Sequence, residues 1–177
     1  MDKLRLLIPT VVDAAQVMDY RQAFLDAGSE MDGTSGLRQF EDPLQWLALT
    51  EKMRNSATVP ANLVPATQFI CLREIDQKVV GMLQVRHTMN DYIRTYAGHI
   101  GYSVRPDERR KGIATWMLQN ALPFCKTLGL DRVMVSCYNT NEASRRTILA
   151  CGGTYDATVF EPQRQKNIER YWITISF

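Results

Sequence analysis

Val104-Arg105-Pro106-Asp107-Glu108-Arg109-Arg110-Lys111-Gly112-Ile113-Ala114-Thr115 joins a strand to the strongest helical pattern in the chain. Ahead of it, residues 97–104 are rich in aromatic and branched side chains, and Arg105-Pro106 closes the run because proline has no N–H for a central ladder. Behind it, Ile113, Trp116, Met117, Ala121, Phe124 and Leu128 form one apolar stripe, and Gly129 supplies the stop. At such a junction the first-turn N–H groups have no helical partner and the positive end of the helix dipole points at one spot. That spot attracts phosphate. Gly112 and Ala114 keep the turn bare enough for a diphosphate to approach the backbone, while Arg109, Arg110 and Lys111 add charge locally. A basic run of this kind otherwise marks a solvated helix start. The patterns G-x-x-x-x-G-K-[ST] and G-x-G-x-x-G do not occur, so kinase and dehydrogenase readings lose their main support.

Outward from this junction the pattern continues as strand, helix and strand. Residues 132–138 read as a strand, 142–150 as a short helix stopped by Gly152-Gly153, and 155–160 and 170–177 as terminal strands. The last alternates through Tyr171, Ile173, Ile175 and Phe177. Pro123 predicts a kink in the helix that contains it. Toward the N-terminus, residues 3–8 read as a strand ending at Pro9, and Thr10 with Asp13 imitates a capping box before a helix stopped by Gly28. Residues 29–40 are glycine-rich, polar and mobile in appearance. Asp42-Pro43 opens a second helix that runs to about Arg54, since Asp can cap and Pro at the first position loses no hydrogen bond. After a loop at 55–67, residues 68–74 and 78–88 form a hairpin around Asp76-Gln77. These elements imply an α/β (α+β) fold, a mixed sheet covered by helices on both faces.

Composition narrows the function. A length of 177 residues predicts a single domain over 1–177, and 45% hydrophobic with 23% charged residues lies in the ordinary globular range. The formal net charge of +2 is too balanced for a dedicated nucleic-acid or membrane-surface binder, and aromatics are not interleaved with Arg105, Arg109, Arg110 and Lys111. Near the N-terminus the apolar run Leu6-Leu7-Ile8 stops at Pro9, too short for an export signal, and no stretch is long enough for a membrane span. Cys71, Cys125, Cys137 and Cys151 show no C-x-x-C pair and read as reduced thiols in a cytoplasmic protein. With His87 and His99 the only histidines, no metal site is expected.

The pattern Arg109-x-x-Gly112-x-Ala114, after a strand ending Ser103-Val104-Arg105-Pro106, resembles the acetyl-CoA signature [RQ]-x-x-G-x-[GA] of the GNAT superfamily of N-acyltransferases. The order of elements is similar over essentially the whole chain. Within the superfamily, Gly98 to Val104 and Asn141 to Arg146, ending at Gly152-Gly153, resemble a bacterial group of acetyltransferases without a firm substrate. The resemblance implies a mostly antiparallel sheet of about 6–7 strands flanked by about four helices. It also implies acetyl-CoA as co-substrate and an amine acceptor, small molecule or peptide, with no nucleic acid and no membrane; a homodimer is allowed.

Carried over position by position, the resemblance implies that the backbone of Tyr102, Ser103 and Val104 pairs with the pantetheine arm. The N–H groups of Arg109, Arg110, Lys111, Gly112, Ile113, Ala114 and Thr115 would cradle the pyrophosphate. Asn141 and Ser144 match a second cofactor contact, although Asn141 serves equally as a helix cap. The family's usual mechanism is direct attack of an amine on the thioester in a ternary complex. It needs a base, a polarised carbonyl and a proton for the thiolate. His99 is the candidate base, because strand alternation puts it on the face of Gly101 and Ser103, two small side chains that leave room beside it; the other reading is a histidine bonded within the sheet. The acid is open, because Ile148 stands where many relatives carry tyrosine; Tyr138, Tyr155, Tyr171 or water remain. A catalytically silent acyl-CoA-binding sensor is the alternative function. Arg86-His87 and Asn90-Asp91-Tyr92 fall near the expected acceptor cleft, and Tyr20, Asp32, Phe40 and Trp46 are candidates for shaping it.

Overall fold

Alternation along the central strands sends apolar side chains to two separate cores, one on each face of a single sheet. The computed structural model describes residues 3–176. Its elements are β1 (Leu4–Leu7), α1 (Ala14–Asp26), α2 (Pro43–Met53), β2 (Ala66–Arg73), β3 (Lys78–Arg86), β4 (Ile100–Val104), α3 (Ile113–Thr127), β5 (Arg132–Tyr138), α4 (Glu142–Ala150), β6 (Thr154–Glu161) and β7 (Lys166–Thr174). The strands lie in the order β1-β2-β3-β4-β5-β7-β6. Every neighbouring pair is antiparallel except β4 with β5. This is the mixed, mostly antiparallel sheet expected from the sequence.

In β2, Phe69 and Cys71 face α3 and α4, while Ile70 and Leu72 face α1 and α2. Met117, Leu118, Ala121 and Ile148 fill the first core; Val17, Tyr20, Phe24 and Trp46 fill the second, all fully buried. Caps foreseen in the sequence fix the helix starts. The Thr10 N–H donates to Asp13 Oδ2 at 2.8 Å ahead of α1, and the Leu44 N–H donates to Asp42 Oδ1 at 2.8 Å with Pro43 in the first position.

Two expectations change. The third strand begins at Ile100 rather than at residue 97, because Ile93–Ala97 winds into a π-turn that ends at Gly98, φ 73°. A Cβ at Gly98 would lie 2.4 Å from the Met134 carbonyl oxygen, so only glycine lets the chain enter the sheet there. The segment 29–40, mobile by composition, is tied down by buried Thr34 and Leu37 and by the Trp46 indole, which donates to the Thr34 carbonyl at 2.8 Å. α3 runs through Pro123 to Thr127, close to the stop expected at Gly129. Of the expected last strand, Phe177 lies outside the described residues.

The helix that opens at Gly112 depends on its buried stripe. Leu118→Ala, at a fully buried site, should lower unfolding free energy by about 2–5 kcal/mol in urea titration without changing the slope.

Candidate active site

The break between β4 and β5 builds the site. These two parallel strands share one register, Ile100 opposite Val135, and the remainder of β4 has a ladder partner only in β3. Between them opens a cleft of about 1270 Å³, walled by Tyr102 to Val104, the start of α3, Ser136 to Tyr138 and one face of α4. The open edge of β4 therefore offers unpaired backbone groups to an extended chain. Tyr102 spans the gap, its hydroxyl 2.8 Å from Ser144 Oγ. Burial pushes this phenol's pKa up, and the Ser144 bond opposes the shift.

At the head of β4, the backbone turns into an anion cradle. Arg110 and Gly112 both sit in the left-handed region, φ 63° and 77°, which brings successive N–H groups to one side. The first α3 N–H with an acceptor is that of Trp116, bonded to the Gly112 carbonyl at 3.0 Å. Those of Arg109 through Thr115 donate to no group among the described residues. Such donors suit the diphosphate of a CoA-like molecule.

The side-chain charges are arranged differently from expectation. Lys111 turns away from the cleft to bond buried Glu108 at 2.7 Å, where Arg73 and Lys78 also converge at 2.9 and 3.1 Å. Burial raises the Glu108 pKa, but its bonds to Lys111, Arg73 and Lys78 prevail and hold it down to about 2. Arg109 Nη2 donates to Ser29 Oγ at 2.6 Å, and its guanidinium lies over the Phe24 ring. Arg105 is paired with Asp19 and Asp107. Arg110 alone of this run carries no side-chain bond among the described residues. Backbone, more than basic side chains, is what the turn presents. Apart from Lys111, each cofactor position expected from the sequence borders the cleft, Asn141 and Ser144 included. Asn141 Oδ1 caps α4 by accepting from the Ser144 N–H at 3.0 Å, and its Nδ2 has no bonded partner among the described residues.

His99 is displaced from the position expected for a base. The chain leaves Gly98 already bonded to β5: the His99 N–H donates to the Met134 carbonyl at 2.7 Å, and the Met134 N–H donates to His99 Nδ1 at 2.9 Å. The ring is 5% exposed, packs edge-on against Trp172 and does not line the cleft. Burial first, then the Arg86 charge, hold its pKa down at about 4. His87 also leaves the cleft, with Nε2 2.8 Å from Thr67 Oγ1. Of the tyrosines left open as acids, Tyr138 lines the cleft; Tyr155 and Tyr171 meet edge to face outside it.

The other end of the cleft is made by the segment before α2. Gly33 lies directly on Gly101, so a Cβ at Gly33 would fall 2.2 Å from the Gly101 carbonyl oxygen. Ser103 Oγ donates to the Asp32 carbonyl at 2.6 Å, Gln68 Nε2 to the Gly33 carbonyl at 2.9 Å, and Gln84 Nε2 to Ser35 Oγ at 2.7 Å. These bonds seat Asp32 over β4. Its carboxylate has no bonded partner among the described residues, and its pKa is raised by burial and by Glu30 against the pull of Arg164, Lys166 and Arg86. The sequence listed Asp32 merely as a cleft-shaping candidate; its nearness to the edge of β4 had no local signature.

A strand that parts from its parallel neighbour above a bare helix start defines a class of acyl-CoA-binding folds, and comparison agrees. A family model described as Acetyltransferase (GNAT) family matches residues 31–152, and the chain belongs to this family. Solved structures with the same fold include ribosomal-protein-S5-alanine acetyltransferase from Vibrio fischeri, 16% identical over 99% of this chain and 95% of that one, TM-score 0.71. RimJ of Mycobacterium smegmatis in complex with CoA-disulfide is 20% identical over 97% and 81%, TM-score 0.71. Spermidine N-acetyltransferase from Vibrio cholerae in complex with CoA and spermine is 16% identical over 97% and 95%, TM-score 0.65. No curated protein matches the chain.

The His99 environment sets a pH dependence. With its folded pKa lowered to about 4 from 6.5, the unfolded chain takes up a proton first as pH falls, so stability is full above about 6.5 and is lost toward 4. Urea unfolding at pH 7 and pH 4.5 should show His99→Gln losing about 2 kcal/mol less over this window than the parent.

Proposed function

We propose that this protein is an acetyl-CoA-dependent N-acetyltransferase, one domain over 1–177, that moves an acetyl group to a primary amine by direct attack within a ternary complex. The observation that carries the reading is the row of partnerless N–H groups from Arg109 to Thr115 at the head of an open-edged strand. Family membership is in accord with it. Acetyl-CoA would supply an activated thioester carbonyl. The N–H groups of Arg109 to Thr115 would hold its diphosphate, the β4 edge from Tyr102 to Val104 its extended arm, and Asn141 Nδ2 with Ser144 the inner part of that arm.

The chain's own groups can manage the protons. A primary amine arrives as an ammonium and must lose a proton to become a nucleophile. Asp32, a carboxylate without a bonded partner and with a raised pKa, stands at the acceptor end to take it. In this reading His99 pins β4 to β5 and handles no proton of the reaction, since its ring has no face in the cleft. The Tyr102 hydroxyl, paired with Ser144 across the gap, holds a proton on the cofactor side for the departing sulfur. It stands in for the tyrosine that many relatives carry at the position of buried Ile148.

Ile148 also sustains the alternative, a silent sensor that binds acyl-CoA without turnover. Release of CoA thiol with an amine panel separates the two readings. Binding is tested first by thermal unfolding. At about 100 times Kd, acetyl-CoA should raise the midpoint by about 5–10 °C, with no comparable rise from ATP or NAD. Gly112→Asp places negative charge in the cradle and should abolish this rise while the variant remains folded. No rise in the parent would overturn the reading.

A further inference from the structure

One end of the cleft holds two opposite charges, Arg86 and Asp32, neither of which is in an ion pair among the described residues. Arg86, at the end of β3, is half-buried in the cleft wall, and its Nη1 donates to the Gly98 carbonyl at 2.9 Å. That is its one side-chain bond among the described residues, and no carboxylate pairs with it there. Its Nη2 lies 3.8 Å from the place where a Cβ at Gly101 would be, and Gly33 Cα lies 3.3 Å from the same point. Asp32 precedes Gly33 and is fixed over β4 through Ser103. A guanidinium with free donors beside Gly101 and a carboxylate without a bonded partner among the described residues therefore line one end of the cleft, each within the other's field, without closing an ion pair.

Leaving a guanidinium partly desolvated and without an anion is costly, so such a group is favourable where a ligand completes it. Its planar fork suits a carboxylate or similar acid, which it can hold by two parallel bonds. Asp32 suits an ammonium. Tyr92 and Tyr96, with ring centroids 5.1 Å apart, line the same end and offer apolar surface to a side chain. Glu30 is already paired with Lys166 at 3.3 Å, and Arg164 adds a second cation to the lining. A polycation would meet Arg86 and Arg164 as repulsive charges.

We propose that the acceptor is a small amine that also carries an acid group, an amino acid or close analogue, with its carboxylate held by Arg86 and its ammonium by Asp32. The chemistry of this proposal rests on the acetyl-transfer reading; the charge arrangement does not. The proton balance follows: the ammonium gives one proton to Asp32, the freed lone pair adds to the thioester carbonyl to form the C–N bond, the C–S electron pair leaves on sulfur, sulfur takes the Tyr102 proton, and the second nitrogen proton restores that hydroxyl.

The test uses free amino acids, their methyl esters and spermidine, read two ways: release of CoA thiol with acetyl-CoA, and thermal stabilisation by each amine in the presence of CoA. The parent should favour the acids over their esters by at least about tenfold in kcat/KM, with spermidine poorest. Arg86→Gln should lower kcat/KM for the acids by about tenfold or more, through KM, and change the esters by less than about twofold. It should keep the acetyl-CoA thermal shift, which shows that it has folded, and Arg86→Lys should restore part of the preference. If Arg86→Gln does not fold, the parent's acid-to-ester ratio decides by itself. Esters or spermidine used as well as the acids would overturn the proposal, as would equal losses for acids and esters in Arg86→Gln. So would a chain that binds acetyl-CoA but is neither stabilised by the acids nor active on them. Absence of any acetyl-CoA shift would instead overturn the acetyl-transfer reading, and stabilisation by acids over esters would then still judge the charge pair.

Discussion

One incomplete strand pairing organises this molecule. β4 and β5 run parallel but meet at a single register, so one side of β4 is left with backbone donors and acceptors facing a gap. Unpaired groups of this kind are costly in a protein interior. They persist because the closed end is fastened twice, by the His99 N–H to Met134 and by the Met134 N–H to His99 Nδ1, while the opposite edge of β4 stays fully laddered to β3. The cleft is thus an exposed strand edge kept rigid by its surroundings, and its chemistry starts from backbone geometry.

Side-chain charge around this edge is managed rather than accumulated. Glu108 gathers Arg73, Lys78 and Lys111, and Arg105 is held by Asp19 and Asp107, so most of the basic run beside the anion cradle is neutralised internally. That arrangement fits a near-neutral protein whose anion site is local: dipoles and N–H groups select a diphosphate by shape, where a cluster of free cations would attract any polyanion. At the other end of the cleft the pattern reverses, and Arg86 and Asp32 are in no ion pair among the described residues. The two ends of one cleft thereby use different physics.

The small residues have a matching purpose. Gly33 against Gly101 brings the segment before α2 into backbone contact with β4, and Gly98 allows the close approach to Met134 that starts the sheet. Each replaces side-chain volume by proximity, and the proximity positions Asp32 and fastens the closed end. A side chain at any of these places would separate layers that the site needs in contact.

Periodicity, caps and stops made most of the fold legible in the sequence, because they are local: the stripe from Ile113 to Leu128, the Asp42-Pro43 start and the alternation from Tyr171 to Ile175 each report a neighbour a few residues away. The bare turn was legible for the same reason, since Gly112 and Ala114 lie in the sequence at the start of the helix. Tertiary structure decided what depends on distant contacts. The π-turn before Gly98 moved His99 out of the cleft, Glu108 drew Lys111 away from it, and the bonds from Ser103 and Gln68 turned a loose-looking loop into the seat of Asp32. Partners of this kind lie from 3 to 71 residues apart, and those across strands leave no periodic trace in the chain. Local spacing determined where a phosphate could bind; only packing across the sheet determined which side chains face the acceptor.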